Sequence, residues 1–287
     1  MSIDVLTPSL GYACFLRDAI ESVRRQKDVA VRHVIQDGGS EDGTIELLES
    51  YDGIVDWESL PDRGQSDGLN RALARSDAEW IAWLNADEFY LPHGLRTLAA
   101  TAKATGADVV YADAVFVDAE GRVLRLLAQH RFSALTLRSY GTFIPSCATL
   151  IRRAALDAEP WDKRLRMIMD WDLCLSLLSA GALFAYVPVP VAAFRVHQAR
   201  VTASPASDFS EEYALVADRH GLRLSRPRRA LGKVQHGLHK LAGGAYARQL
   251  RALRATGADL RWFESVVGPN GATSLVSACA GTRRRRR

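Results

Sequence analysis

The sequence predicts an α/β protein whose core is a mainly parallel sheet covered by helices. Three observations predict it. Short β-branched runs alternate with helical-period segments from Ile3 to about Val117. The run Trp80-Ile81-Ala82-Trp83-Leu84 is apolar throughout, as a strand buried on both faces must be. Polar loops follow one strand after another, so they gather at the carboxyl edge where open α/β sheets bind ligands.

Taken in order, strands are expected at 3–7, 31–36, 55–60, 80–84 and 109–116, and helices at 14–25, 43–51, 65–75 and 93–105. The stretch from about Val123 to Arg200 is less regular. It should hold a helix over 169–180 and a strand over 184–187 that stops at Pro188-Val189-Pro190, and it completes a domain spanning 1–205. Beyond Ala203-Ser204-Pro205, residues 206–287 form a basic helical extension ending in the run Arg283 to Arg287, which reads as a disordered tail. Within it, Leu231, Val234, Leu238 and Leu241 recur at helical spacing opposite Lys233, His236 and Lys240. Two readings fit: a helix packed on the main domain with a solvated basic face, or a peripheral contact with anionic lipid.

Composition bounds the function classes. The 287 residues, with 48% hydrophobic and 24% charged, are those of an ordinary globular protein. The net charge of +4 hides an asymmetry, with acids concentrated before Arg219 and bases after it. Cys14, Cys147, Cys174 and Cys279 show no CxxC spacing, which argues against a zinc site or a disulfide framework. No aromatic interleaving accompanies the basic run, so no nucleic-acid partner is expected. No basic and apolar leader is recognisable and no apolar run approaches about 18 residues, so the expected location is cytoplasmic, peripheral on the inner face of the membrane.

Chemistry concentrates in the loops. Strand two runs into Gln36-Asp37-Gly38-Gly39-Ser40-Glu41-Asp42-Gly43-Thr44, where glycines permit close backbone approach and Asp37 can accept from a ribose or a base. A helix cap explains Ser40 to Asp42 equally well. This is neither GxGxxG nor a P-loop. Strand three runs into Pro61-Asp62-Arg63-Gly64-Gln65-Ser66-Asp67-Gly68-Leu69-Asn70, and strand four into Asn85-Ala86-Asp87-Glu88. Adjacent buried acids need a partner, and a divalent ion carrying a phosphate ester supplies one. Three acidic loops at one edge point to a shared site.

These residues resemble the family 2 glycosyltransferases, which have the GT-A fold. The resemblance runs from about Asp4 to Thr202 through Val5-Leu6-Thr7-Pro8-Ser9, Asp37-Gly38-Gly39-Ser40, Pro61-Asp62-Arg63-Gly64-Gln65-Ser66-Asp67 with Asn70, Trp83-Leu84-Asn85-Ala86-Asp87-Glu88 and Met169-Asp170-Trp171-Asp172-Leu173. It implies a GT-A type nucleotide-binding sheet and an inverting transferase. By the same resemblance Pro8 and Ser9 lie near the nucleotide, Asp37 and Asp62 hold its base and ribose, and Asp67 sits beside the diphosphate. Asn85 takes the first position of the family's Asp-x-Asp signature and implies a ribose contact. Asp87 takes the last position and implies a ligand to Mg²⁺ or Mn²⁺, with Glu88 a weaker candidate. Asp170 matches the general base, although Met169 replaces the acid that usually precedes it, and Asp172 is the alternative. His197, in Phe194-Arg195-Val196-His197, is similar to the late histidine that reaches back to the metal or diphosphate, while Arg195 either orients a phosphate or pairs with an acid.

The implied reaction moves a sugar from a nucleoside-diphosphate sugar (UDP, GDP or dTDP form) to a glycan or lipid-linked acceptor. A sugar-1-phosphate nucleotidyltransferase would need a glycine-rich, arginine-containing loop after strand one, whereas Ser9-Leu10-Gly11-Tyr12-Ala13 offers one glycine and no arginine. A nucleotide-sugar-binding protein or scaffold without turnover is the remaining alternative.

Overall fold

The computed structural model describes residues 1–197, 210–223 and 225–256. Its first half follows the expected alternation: β1 (Ser2–Ser9), α1 (Ala13–Arg24), β2 (Ala30–Asp37), α2 (Thr44–Glu49), β3 (Asp56–Ser59), α3 (Gln65–Ala74), β4 (Trp80–Trp83), β5 (Phe89–Tyr90), α4 (Gly94–Thr105) and β6 (Val109–Val117). Then come β7 (Val123–Leu127), α5 (Ala134–Ser139), β8 (Thr149–Arg152), α6 (Met169–Ser179), β9 (Phe184–Arg195), α7 (Ser210–Arg219), α8 (Arg226–Ala242) and α9 (Ala245–Ala252).

All nine strands join one mixed sheet in the order β3-β2-β1-β4-β8-β6-β9-β5, with β7 also paired to β6. β3, β2, β1 and β4 are mutually parallel, and β8 turns the sheet antiparallel between β4 and β6. The chain therefore leaves β1 between β2 and β4, the switch point at which a crevice opens.

Side chains of β1 alternate between two cores. Ile3 and Val5 pack with Leu16 and Ile20 of α1, while Leu6 packs with Leu69 and Leu73 of α3. The strand is buried on both faces, and its polar Asp4 and Thr7 are paired there with Arg32 and His33.

The strand expected to stop at Val187 instead continues to Arg195. Its register with β6 jumps from Ala112↔Val187 to Asp113↔Pro190, so Pro188 and Val189 bulge out and the prolines demand no ladder hydrogen bond where they stand. The continuation delivers Arg195 and His197 to the far end of the sheet.

The 205/206 boundary, the arginine run 283–287 and Cys279 lie outside the described residues. Cys14, Cys147 and Cys174 are free thiols. Among the described residues no helix is long and apolar enough to cross a membrane. α7 buries Val216 in the core beneath α6, and α9 places Ala245 and Ala252 against Leu126 and Val115.

α9 is also tied by charge. The Arg248 guanidinium reaches the fully buried Asp113 at 3.0 Å, the Gln129 carbonyl at 3.0 Å and the Gly243 carbonyl at 2.7 Å. Removing one member of a buried, hydrogen-bonded pair leaves an uncompensated charge. Arg248→Ala should lower unfolding free energy by about 3 to 5 kcal/mol in urea titrations.

Candidate active site

The crevice begins where Ser9, Asp37 and Ser59 stand side by side at the ends of β1, β2 and β3. The Asp37 carboxylate is fully buried and accepts four hydrogen bonds: Gly39 N–H at 2.9 Å, Ser40 N–H at 2.8 Å, Ser59 Oγ at 2.7 Å and Ser40 Oγ at 2.5 Å. Its charge is thereby spent on the turn, which it shapes. Ser40 Oγ in turn accepts the Gly11 N–H at 2.8 Å, and Asp42 accepts the Ala13 N–H at 2.9 Å, so this loop fixes the loop after β1. The hydroxyl of Ser9 is buried and has no hydrogen-bond partner among the described residues.

Asp62 behaves differently. One oxygen accepts the Gly64 N–H at 2.8 Å, and the other lies between Gly38 and Gly68, where an added Cβ at either glycine would sit 3.1 Å away. Burial, with Asp67 and Asp37 adding repulsion, holds its pKa above the usual carboxylate value. Gly64 adopts φ 111° and ψ −178°, a region open essentially to glycine alone, and so turns the chain from Asp62 into α3. Pro8 packs against the same helix, 3.4 Å from a Cβ placed on Gly68.

The first turns of α3 join the two halves of the site. Gln65 Nε2 donates to Asn85 Oδ1 at 2.5 Å, Ser66 Oγ donates to the Leu165 carbonyl at 3.0 Å, and Asn70 exchanges two hydrogen bonds with the backbone of Trp161 at 2.7 and 3.2 Å. Asp67 reaches back to the Arg63 N–H at 3.1 Å and pairs with Arg71 at 3.1 Å and Lys163 at 3.3 Å. Burial alone would raise its pKa, but the Arg63 N–H and the two cations hold it low. Asn85 Oδ1 also accepts the Trp83 indole N–H at 2.7 Å.

At the end of β4, Asp87 Oδ2 lies 3.0 Å from His197 Nε2, and both side chains are largely buried. The His197 ring is held by Phe15 and Tyr12, with centroids at 4.7 and 5.8 Å. Beneath them Arg195, 1% exposed, donates to the Asp87 carbonyl at 3.0 Å, the Ala119 carbonyl at 2.5 Å and Asp18 at 2.6 Å. Of the two roles open to Arg195, the structure assigns the pairing with an acid. Glu88 turns back to accept the Asn85 N–H at 2.9 Å.

Among the described residues no group of three or more His, Cys, Asp or Glu side chains able to hold a metal is present. A carboxylate and an imidazole fit an ion that takes one or two protein ligands and fills its remaining positions with phosphate oxygens and water. Asp87 and His197 meet that chemistry.

Asp170 stands in the first turn of α6 and borders a small, mainly apolar cavity between that helix and the sheet, lined also by Trp83, Val109, Ile144, Ile151 and Leu173. Trp83, which borders the same cavity, donates its indole N–H to Asn85. Asp170 is half-buried, and burial pushes its pKa up to about 6, partly opposed by the Trp171 N–H at 2.8 Å. Asp172, the alternative base, is committed elsewhere, to Arg219 at 2.6 Å and His220 at 2.8 Å.

Arg219 and His220 were given no role in the sequence, nor was Glu212. The Glu212 carboxylate accepts the N–H groups of Arg166, Met167 and Ile168 at 2.9, 3.0 and 3.2 Å, directly before α6, while Tyr213 packs on Trp171 with centroids 5.3 Å apart. α7 therefore fixes the helix that bears Asp170. The acidic pair Glu211-Glu212 at a helix start was visible in the sequence, but nothing local said which backbone it would meet.

The Glycosyl transferase family 2 sequence model matches residues 4–158, more than half of the 287 residues. The succinoglycan biosynthesis protein ExoO of Rhizobium meliloti is 28% identical over 186 residues, covering 59% of this chain and 53% of that protein. A PGL/p-HBAD biosynthesis glycosyltransferase of Mycobacterium bovis is 26% identical over 206 residues, covering 66% of this chain and 75% of that one. The chain thus spans about half the length of the first relative and three quarters of the second. Staphylococcus aureus TarS, solved with UDP-GlcNAc, superposes with a TM-score of 0.64 at 15% identity over 97% of this chain and 82% of that one. At that identity the likeness is one of fold.

Two outcomes follow from the geometry around α6. Glu212→Ala strips an acceptor from three N–H groups and should destabilise the chain by about 1 to 3 kcal/mol in urea titration. Asp170 has a folded-state pKa above its ordinary 3.8, so its ionisation costs stability as pH rises through about 6. Asp170→Asn should therefore raise the melting temperature at pH 7.5 and leave it unchanged below pH 4, as read by scanning calorimetry. A gain that is equal at both pH values would contradict the assignment.

Proposed function

This chain belongs to the family 2 glycosyltransferases, and on that premise we propose that it is an inverting, metal-dependent enzyme. It would move a sugar from a nucleoside-diphosphate sugar to a hydroxyl acceptor in cell-surface polysaccharide or glycolipid biosynthesis. The observation that supports the reading is the Asp87–His197 pair at the end of β4, together with Asp170 on a helix whose approach is tied, through Ser66 and Leu165, to the same α3 turn that holds Asn85. In-line displacement requires a base on the face of the sugar opposite the leaving diphosphate, and this reading assigns that role to Asp170.

In this reading Ser9 and Asp62 receive the nucleoside, for Ser9 brings an unpartnered hydroxyl and Asp62 an incompletely engaged carboxylate. Asp37 shapes the turn beneath them. Asp87 and His197 would hold Mg²⁺ or Mn²⁺, and a bound ion would supply charge neutralisation to the departing diphosphate. Arg195 keeps the Asp87 backbone in place. Asp170 accepts the proton of the acceptor hydroxyl as its oxygen bonds to the anomeric carbon, and the bond from that carbon to the diphosphate oxygen breaks. A base with a pKa of about 6 is ionised at neutral pH yet retains proton affinity.

The acceptor class is taken from relatives named for succinoglycan and PGL/p-HBAD biosynthesis. In this reading a lipid-linked acceptor would be met at the inner face of the membrane. The UDP-GlcNAc bound to TarS makes uridine donors the first to test, with GDP and dTDP forms after them. A nucleotide-sugar binder without turnover is the second reading. It draws on Met169, which stands where an acid is usual and is buried against Ser66 Oγ at 3.3 Å.

A thermal-shift panel of sugar nucleotides with and without Mn²⁺, followed by nucleoside-diphosphate release, separates the two. The preferred donor at 100 times its Kd should add about 2.7 kcal/mol to stability. Asp87→Ala should lose donor binding. Asp170→Asn should keep it while transfer falls about 10²- to 10⁴-fold. Full turnover by folded Asp170→Asn would sink the base assignment, and tight donor binding without release in the unaltered chain would favour the binder.

A further inference from the structure

We propose that α8 and α9 dock this protein on an anionic lipid bilayer, with their apolar faces inserted at the headgroup boundary. The proposal deepens the reading above by naming the surface where the acceptor is met, and in that respect rests on it.

Both helices leave an apolar stripe unburied, and in α8 the side turned to the domain is the polar one. On α8 the apolar stripe Leu231, Val234, Leu238 and Leu241 is 52%, 58%, 59% and 65% exposed. Its opposite, polar side faces the protein. Gly232 meets the backbone of Ser139 and Tyr140 so closely that a Cβ would lie 2.6 Å from it. The His236 ring stacks on Tyr140 with centroids 4.3 Å apart and lies 3.0 Å from His130 Nε2, and His239 stacks on His130 at 5.1 Å. α8 cannot roll its leucines inward without breaking this seam.

α9 packs inward through Ala245 and Ala252 as well as polar side chains, and still leaves an apolar stripe outside. Arg248 points inward to Asp113, and Gln249 donates to the Leu126 carbonyl at 3.1 Å. Tyr246 and Leu250, with Leu253 just beyond the helix, are exposed at i, i+4 and i+7. The Tyr246 hydroxyl lies 3.7 Å from a Cβ placed on Gly237, so the two stripes adjoin. A contiguous exposed apolar patch on a soluble domain marks an interaction surface.

Charge selects the occupant. From residue 219 to 258 the chain carries ten Lys and Arg and no Asp or Glu. Arg226, Arg228, Arg229, Lys233, Arg251 and Arg254 belong to these two helices and the turn after them. A second copy of this face would bring like charge against like charge. Anionic headgroups supply the missing negative charge beside an apolar layer that takes the leucines.

The test uses the full chain, co-sedimented with vesicles of phosphatidylglycerol and phosphatidylcholine or of phosphatidylcholine alone. The expected result is binding to the anionic vesicles only, weakened by salt. In Leu238→Glu/Leu250→Glu the partition coefficient should fall at least about tenfold, with the circular-dichroism melt and release of nucleoside diphosphate from the donor in solution unchanged. The proposal is overturned if the double variant binds as tightly as the unaltered chain, or if neutral vesicles bind equally well. It is also overturned if the chain ignores vesicles and self-associates through this face, as shown by light scattering that the double variant abolishes. Lost vesicle binding with intact donor turnover would remove the docking and leave the transferase reading standing. Vesicle binding without turnover would do the reverse.

Discussion

The site depends on one helix end. Gln65, Ser66, Asp67 and Asn70 in the first turns of α3 reach Asn85 after β4 and the backbone from Trp161 to Leu165 before α6, two segments remote from each other in the chain. Buried amides and hydroxyls that are fully paired specify one arrangement, because every alternative leaves polar groups unsatisfied. The loops after β3 and β4 and the start of α6 therefore share a frame, and the Gly64 turn that starts α3 also places Asp62.

The C-terminal helices extend that frame instead of forming an independent unit. α7 holds the start of α6 through Glu212 and engages Asp172, which leaves Asp170 as the acid of that turn bordering the cavity. A carboxyl partly kept from water in this way has a raised proton affinity and a cost in stability at neutral pH. Strain of that kind persists only where surrounding contacts over-determine the structure, and here α3 and α7 do so from two sides. Beyond them α8 and α9 leave apolar stripes outward, on the surface proposed for the membrane.

Much of the fold was legible because β-branched and apolar runs at β1, β2 and β4 alternate with helical-period segments, and the loops after β2, β3 and β4 carry the glycines and acids that such crevices need. β5, with two residues, and β7 and β8, which pair antiparallel at the middle of the sheet, gave no comparable pattern. Pro188 and Pro190 read as a stop because the β6–β9 bulge that accommodates them exists only in three dimensions. At the site, residue type announced carboxylates but not their partners. Asp37 and Asp62 look alike in sequence, yet one is saturated by its own loop and the other is not. Asp170 and Asp172 were separable only through Arg219 and His220, nearly fifty residues later. The leucine period of α8 was plain, while the face it would bury was not, since inward packing was decided by Gly232 and three histidines rather than by hydrophobicity.

The central claim is that a single carboxylate, Asp170, works from the side opposite the leaving diphosphate. Proton NMR of the first-formed product, begun from a donor of known anomeric configuration, tests it most directly. The account predicts inversion at the anomeric carbon, seen in the coupling constant of the anomeric proton before any mutarotation. Retention of configuration would contradict it.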